Sequence, residues 1–192
     1  MKRLTLIGTL LFFIFQMEAT AQQKFERESR LKQEDVPQAA LQFIDAVELE
    51  TNWKWYFEEN LQGNSVEAKT KHQGKRYSVE FDTSGKIQDV EVESDWNGLD
   101  EKVRVNISEA LDSLFIRSEI DKIQIQYVAE KQNLIGLLNS EPGGPGMNIQ
   151  YEIVVKGKKT GRPKLYELTF SDSGALKAIS EIVFRNTDNL EF

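Results

Sequence analysis

The stretch from Tyr77 to Val90, YSVEFDTSGKIQDV, recurs 89 positions later as YELTFSDSGALKAI, from Tyr166 to Ile179, in an alignment without gaps. In both copies apolar and polar residues alternate up to a turn that contains a glycine, Gly85 or Gly174. Period-two alternation predicts a strand with one buried face, and glycine accepts the positive φ of a tight turn. Each stretch therefore predicts an antiparallel hairpin. Self-similarity at a fixed offset favours a duplicated unit, so the fold is interpreted one unit at a time.

A helix signal and further strand signals precede each hairpin. Asp35 and Asp100 stand where a helix would begin, and each is followed by apolar residues at intervals of three and four. We therefore predict an α+β fold of two tandem units, 35–94 and 99–184, each a helical segment packed on a four-stranded antiparallel sheet. The second unit carries an inserted loop, 129–147, because its EPGGPG run favours neither helix nor sheet.

The N-terminal residues have the pattern of a secretory signal. Lys2 and Arg3 precede a mostly apolar run of 12 residues, Leu4 to Phe15, and Ala19-Thr20-Ala21 fits a cleavage site for a secretory signal. We expect a signal peptide at 1–21, a polar leader at 22–34 and a tail at 185–192. The apolar run is shorter than the roughly 20 residues of a membrane-spanning helix, and no other stretch approaches that length, so we expect no span in the mature chain.

Composition narrows the classes of function. Without residues 1–21 the chain holds 22 basic and 30 acidic residues, a formal balance of −8, which disfavours binding to nucleic acid. Cysteine is absent, which excludes disulfides, thiol catalysis and a lipid-bearing cysteine. These features predict a periplasmic or secreted protein that is stabilised by apolar packing.

The order of these elements resembles a known family. Asp35-Val36-Pro37, an amphipathic helix, and then Tyr77-x-Val79-x-Phe81-Asp82-x-x-Gly85-Lys86-Ile87 look like the PepSY-like, beta-lactamase-inhibitor-like domain of secreted bacterial proteins. The second unit resembles a more divergent copy, with Ser171 in place of the hairpin aspartate. The resemblance implies no enzymatic activity, and it implies inhibitors that grip an enzyme with the open face of the sheet.

The sequence offers weak candidates for catalysis or metal binding. His72 is the single histidine and lies beside a predicted turn, which excludes a multi-histidine metal site. Asp82 and Asp172 fall in hairpins, where aspartate bonds its own backbone, so we expect turn residues rather than calcium ligands. Asp89, Glu91 and Glu93 share one strand face, and we expect this row to be solvated rather than to hold a cation. We therefore predict no catalytic residues, no metal and no cofactor.

The outward faces of the sheets and the inserted loop are the candidate binding surface. If the two sheets align, they form one concave platform. Trp53 and Trp55 are expected in the core, and Trp96 is either an exposed anchor or a clamp between the units. The predicted partner-binding residues are Tyr56, Glu58, Arg76, Glu80, Trp96, Leu134, Ile135 and Leu137.

Three functions remain open. The first is a non-enzymatic exported protein that binds a protein or peptide of the cell envelope. The second is a secreted hydrolase that uses carboxylates such as Glu58, Glu80 and Glu91, which requires a deep pocket with convergent titratable groups. The third is a structural or assembly subunit, which predicts self-association.

Overall fold

The structure, a computed structural model, describes residues 22–183 except 25, 62, 142 and 143. The predicted signal peptide at 1–21 and the predicted tail at 185–192 lie outside the described residues. The strands are β1 Gln22–Lys24, β2 Glu26–Arg30, β3 Lys54–Asn60, β4 Asn64–His72, β5 Lys75–Asp82, β6 Ile87–Ser94, β7 Arg117–Val128, β8 Asn148–Lys158, β9 Lys164–Ser171 and β10 Leu176–Ile182. The helices are α1 Gln38–Ile44, α2 Glu101–Leu114 and α3 Lys131–Leu138, with 3-10 turns at Gln33–Asp35 and Trp96–Gly98.

All ten described strands belong to one mixed sheet, in the order β1-β10-β9-β8-β7-β6-β5-β4-β3-β2. The prediction of two units with separate four-stranded sheets is therefore wrong. β6, which closes the first predicted unit, pairs antiparallel with β7 of the second, with Glu91 opposite Gln126 and Val92 opposite Ile125. An open sheet edge exposes unpaired backbone N–H and C=O groups, and joining two edges satisfies them. The sequence of one strand does not reveal which edge it meets.

The segment expected to be a polar leader forms β1 and β2, at opposite edges of the sheet. β1 pairs parallel with β10 and β2 pairs antiparallel with β3. A flat sheet of ten strands would hold its edges roughly 43 Å apart at about 4.8 Å per strand. Lys24 and Glu26, however, are separated by one residue, which limits their Cα atoms to about 7 Å. The sheet must therefore curl until its two edges meet at the N-terminal segment.

One face of the sheet is apolar, and all three helices pack on it. α1 and α3 cover the first half, where Phe43 stands edge-on to Phe81 at 5.4 Å between ring centroids. α2 covers the second half, where Ile107 packs among Ile153 and Leu168. The alternation of the strands places their polar residues on the opposite, concave face. Within the described residues no helix is both long enough and apolar enough to cross a membrane.

The interval 129–147, expected to be a loop, contains α3. Leu134 is fully buried and Leu138 is 2% exposed, both in the core shared with α1 and β3–β6. Gly136 and the Pro-Gly run lowered the helical signal, but burial of the leucines against the sheet stabilises this short helix.

The two hairpins share their turn chemistry. Asp82 Oδ1 accepts from the amides of Ser84 and Lys86 at 2.9 and 3.0 Å, and Ser171 Oγ accepts from the corresponding amides of Ser173 and Ala175 at 3.3 and 3.2 Å. The Ser84 hydroxyl also donates to Asp82 Oδ1. This bond, and then the bond from the Lys86 amide, lower the pKa of Asp82. Asp82 thus has the turn role expected from the sequence.

Candidate functional site: the concave face

A cavity of about 520 Å³ occupies the concave face, and side chains from all ten described strands line it. Eight of the described lining residues are acidic and four are basic. The acidic residues are Glu28, Glu58, Glu67, Glu80, Glu91, Glu93, Glu152 and Glu167, and the basic residues are Lys24, Lys69, Arg76 and Lys122. The cavity therefore favours a positively charged occupant.

A row of carboxyl groups crosses the floor of the concave face. Glu67 of β4 lies directly opposite Glu80 of β5, and Glu80 lies directly opposite Asp89 of β6. We call Glu67, Glu80 and Asp89 the carboxyl ladder. Directly opposed residues have Cβ atoms about 4.5–5.5 Å apart, and like charges at that separation are destabilising.

Burial keeps protons on part of this acidic centre. Burial, reinforced by the charges of Glu80, Glu152 and Glu67, raises the pKa of Asp89 to about 8. Burial, with Glu152, Asp89 and Glu67, also raises the pKa of Glu91 well above its usual range, and Lys122 opposes that shift. Asp89 is therefore mainly protonated at neutral pH. The expectation that the row Asp89, Glu91 and Glu93 is solvated is wrong for Asp89, which is 7% exposed.

Among the described residues, one group of three carboxylates is close enough to hold a metal ion. Glu28, Glu58 and Glu67 bring oxygen atoms within 4.8 Å of one another. The ammonium of Lys69 lies 2.5 Å from Glu28 and 2.8 Å from Glu67, and Ser78 donates a hydrogen bond to Glu67. Burial disfavours the charged form of Lys69, but Glu67 and Glu28 outweigh that effect and raise its pKa. The cation at this group is thus the protein's own lysine, which a metal ion would have to displace.

Glutamine side chains connect the acidic centre to the second half of the sheet. Gln124 Nε2 donates to Glu91 at 2.5 Å, and Gln126 Nε2 donates to Asp89 at 3.2 Å. Gln150 in turn donates to Gln126 at 3.1 Å. Side-chain amides on β7 and β8 therefore position the carboxyl groups of β6.

Ion pairs hold the N-terminal segment to both ends of the cavity. Lys24 of β1 contacts Glu167 of β9 at 2.7 Å, and Glu28 of β2 contacts Lys69 of β4. These partly buried contacts link the segment to strands on both sides of the curl. The described lining is mainly polar, and its apolar residues include Leu61, which is 58% exposed, and Ala178.

The structure brings half of the predicted binding residues together. Glu58, Arg76 and Glu80 line the cavity, and Arg76 contacts Glu93 at 3.4 Å. Tyr56 shares their face, and its ring lies 5.0 Å from the Arg30 guanidinium and 5.4 Å from the Lys69 ammonium.

The other predicted residues lie on the helical side of the sheet. Leu134 and Ile135 are buried in the first core and Leu137 packs against it. Trp96 is partly buried against the second core, whereas Trp55 is buried in the first, as expected. Trp96 and the α3 leucines therefore lie apart from the concave face.

Sequence reasoning missed Glu67, Asp89 and Glu28 as site residues. Their positions in the alternating pattern placed Glu67 and Asp89 on a polar face, but the pattern does not show whether that face is flat or curled. A glutamate that follows a valine and precedes an alanine, such as Glu67, is typical of an ordinary solvated strand. The signal that could have found the ladder is acidic residues on neighbouring strands at the same distance from a shared turn.

Comparisons with known proteins concern the fold. No family model matches the sequence, and no curated protein matches it. The structure is similar to a DUF2874 family protein from Bacteroides ovatus, with a TM-score of 0.53 and 14% identity, covering 76% of this chain and 87% of that one. It is equally similar to a DUF2874 family protein from Bacteroides uniformis, with a TM-score of 0.53, 10% identity and coverages of 76% and 89%. A BLIP-like protein from Bacteroides fragilis has a TM-score of 0.48 and 19% identity, with coverages of 82% and 92%.

The two DUF2874 structures show a shared fold. Their identities are far below the level at which partners or residues could be transferred, and the PepSY-like assignment stays a resemblance.

Proposed function

We propose that this chain is an exported, non-enzymatic protein that binds a protein partner in the concave face of its sheet, through basic side chains of that partner. The observation that carries this proposal is the cavity, in which eight acidic residues face four basic ones among the described lining residues. The signal pattern at residues 1–21 supports export, and a partner in the cell envelope follows from it.

The shape of the face supports a protruding segment as the occupant. The cavity of about 520 Å³ lies within the size range of pockets that enclose a ligand, and it could receive a loop or a few side chains. Leu61 at the rim adds one apolar contact beside polar groups, as in interfaces that combine an apolar anchor with a polar rim. Inhibition of an enzyme, which the family resemblance implies, is one form that such binding could take.

The test compares two reversed-charge variants of the mature chain. Glu80→Lys combined with Glu152→Lys changes the centre of the cavity, and Glu109→Lys with Glu101→Lys changes the exposed surface of α2 to the same extent. Proteins captured from an envelope extract are identified by mass spectrometry, purified and titrated against each variant at two salt concentrations.

We expect the affinity of a genuine partner to fall at least tenfold for the cavity variant and to stay within twofold for the α2 variant. We also expect it to weaken as salt rises, because salt screens the long-range attraction between the acidic cavity and a basic partner. A partner that binds the cavity variant as tightly as the wild type would overturn the proposal. Self-association seen by light scattering, abolished by the same cavity substitutions, would instead show an assembly subunit.

A carboxylate-dependent hydrolase is the second candidate, because the cavity meets the condition of convergent titratable groups. Asp89, with a pKa of about 8, could donate a proton at neutral pH to a substrate held beside Glu80. Turnover of a glycoside or ester substrate that is lost in both Glu80→Gln and Asp89→Asn, with the fold intact, would favour this function over binding alone.

A further inference from the structure

The carboxyl ladder brings three acidic side chains together on adjacent strands. Glu67, Glu80 and Asp89 are directly opposed on three adjacent strands, and Glu67 and Asp89 are each 7% exposed. Lys69 pairs with Glu67 at one end of the ladder. At the other end Asp89 receives one neutral donor, the amide of Gln126.

A second observation comes from Asp89 itself. Its Oδ1 is buried and has no hydrogen-bond partner among the described residues. The side chain lies on the concave face, because the adjacent Val90 is fully buried in the apolar core on the other side. A buried carboxyl oxygen without a hydrogen-bond partner is unfavourable, and a donor brought there by a ligand removes that penalty once the carboxyl group has ionised.

The ladder fits an organic cation better than a metal ion. Among the described residues, the carboxylates that are close enough for a metal are Glu28, Glu58 and Glu67, and Lys69 already contacts two of them. The ladder instead spreads its carboxyl groups along a row, in which Glu67 and Glu80 line the cavity of about 520 Å³ and Asp89 lies directly opposite Glu80. A guanidinium group is planar and carries five N–H donors, so it can bond two neighbouring carboxyl groups at once.

We propose that the carboxyl ladder is a subsite for an arginine side chain of the partner, with its guanidinium held between Glu80 and Asp89. This inference rests on the proposed function, since it identifies the group by which the partner enters the cavity. The Nη and Nε hydrogens would donate to the Glu80 carboxylate and to the unpartnered Oδ1 of Asp89.

Binding is then coupled to release of a proton. The charged and titratable groups that face Asp89 are Glu80 on β5, Glu67 on β4, Glu91 on β6 and Glu152 on β8, and Gln126 faces it from β7. Burial, reinforced by neighbouring carboxyl groups, keeps Asp89 mainly protonated at neutral pH, whereas a bound cation favours its ionised form. The neutral carboxyl and the guanidinium cation become a carboxylate–guanidinium pair, and one proton passes to the buffer.

The experiment uses blocked single amino acids, so it does not need the partner. N-acetyl-arginine amide is titrated into the isotopically labelled mature chain and followed by NMR, with the isosteric but neutral N-acetyl-citrulline amide as the matched control. We expect saturable shifts at residues 67, 80 and 89 and at the Gln126 side-chain amide, with citrulline binding at least tenfold weaker. The carboxyl carbon of Asp89 should also titrate at least one pH unit lower when the arginine probe is bound.

Variants make the location specific. Glu80→Gln should weaken the arginine probe at least fivefold, while Glu109→Gln on the exposed surface of α2 should leave it unchanged. Equal binding of the citrulline probe, an unaltered titration of Asp89, or equal binding of N-acetyl-lysine amide would each overturn the guanidinium subsite. The two proposals fail separately. If the cavity variant loses the partner but the arginine probe does not bind, only the subsite is wrong. If the probe binds but no partner is found, only the proposed function is wrong.

Discussion

At the scale of single residues, the acidic centre shows how position in a curled sheet changes the chemistry of a carboxyl group. Asp89 and Glu93 lie on the same face of the same strand, yet burial and three neighbouring carboxylates raise the pKa of Asp89 to about 8. The side chain of Glu93 is 40% exposed and contacts Arg76 at 3.4 Å, whereas Asp89 is 7% exposed. One strand face therefore holds a buried acid and an exposed acid, a difference that alternation in the sequence does not reveal.

The raised pKa of Asp89 predicts a pH dependence of stability. Between its usual pKa of 3.8 and about 8, the folded protein keeps a proton that the unfolded chain has lost. Stability therefore falls as pH rises through that window, by at most about 1.4 kcal/mol per pH unit for one group. Asp89→Asn cannot ionise, so we expect its unfolding free energy in urea to exceed that of the wild type by at least about 1 kcal/mol at pH 9.

The same measurement on Glu109→Gln, an exposed acid of α2, gives the control. Its stability should follow the wild-type pH profile. Glu91 has a pKa raised in the same direction, so the profile of Asp89→Asn should flatten without becoming level. Parallel profiles for Asp89→Asn and the wild type between pH 5 and pH 9 would contradict the burial of a protonated carboxyl group.

At the scale of elements, the sequence predicted what local chemistry decides. The structure confirms the hairpins β5–β6 and β9–β10 and the helix α2. These elements could be predicted because their signals, which are alternation, turn glycines and an apolar stripe, each lie within about 15 residues of sequence. α3 was missed, since its helical signal is short and interrupted by Gly136. β1 and β2 were missed because their polar residues show no apolar alternation, and these strands are held by backbone pairing and by ion pairs.

The turn of the first hairpin provides a test of how it packs on its helix. Gly85 has φ +87°, and a Cβ there would stand 2.8 Å from Pro37 Cβ and 2.9 Å from the Ala40 amide nitrogen at the start of α1. Gly74 has nearly the same φ, +84°, but a Cβ there would meet nothing within 4 Å. The pair separates the cost of backbone conformation from the cost of a close approach.

We expect Gly74→Ala to lower the unfolding free energy by about 1 kcal/mol, because the left-handed conformation alone is strained. Gly85→Ala should lower it by a further 1–3 kcal/mol or so, because α1 must also move. Chemical denaturation of both variants measures the difference. Equal effects of the two substitutions would show that the hairpin does not bear on α1.

At the scale of the whole molecule, the pairing of β6 with β7 joins the strands under the two apolar clusters into one sheet. The sequence predicted both clusters and the polar face opposite them, and it left open whether that face forms one platform. It could not predict the join or the curl, because these depend on strands that meet across long stretches of chain. The carboxyl ladder lies within consecutive hairpins, and it was missed because alternation does not show that this polar face is buried. β1 and β2 pair with β10 and β3 at the two edges of the curled sheet, and Lys24 and Glu28 add ion pairs there.

A single sheet predicts that damage to one cluster is felt by the other. Leu168 is fully buried in the cluster under α2, and Leu168→Ala should cost about 2–5 kcal/mol. Trp55 is buried in the cluster under α1, and Trp96 packs against the cluster under α2, so each reports on one half. Two backgrounds that keep a single tryptophan, with the others replaced by phenylalanine, isolate these signals.

Because β6 and β7 share five register positions, unfolding of the second half would leave β6 with an exposed edge and destabilise the first half. We therefore expect Leu168→Ala to lower the urea midpoint of the Trp55 fluorescence as much as that of the Trp96 fluorescence. A Trp55 transition that stays in place while the Trp96 transition moves would mean two independently folding units, as the sequence alone had suggested.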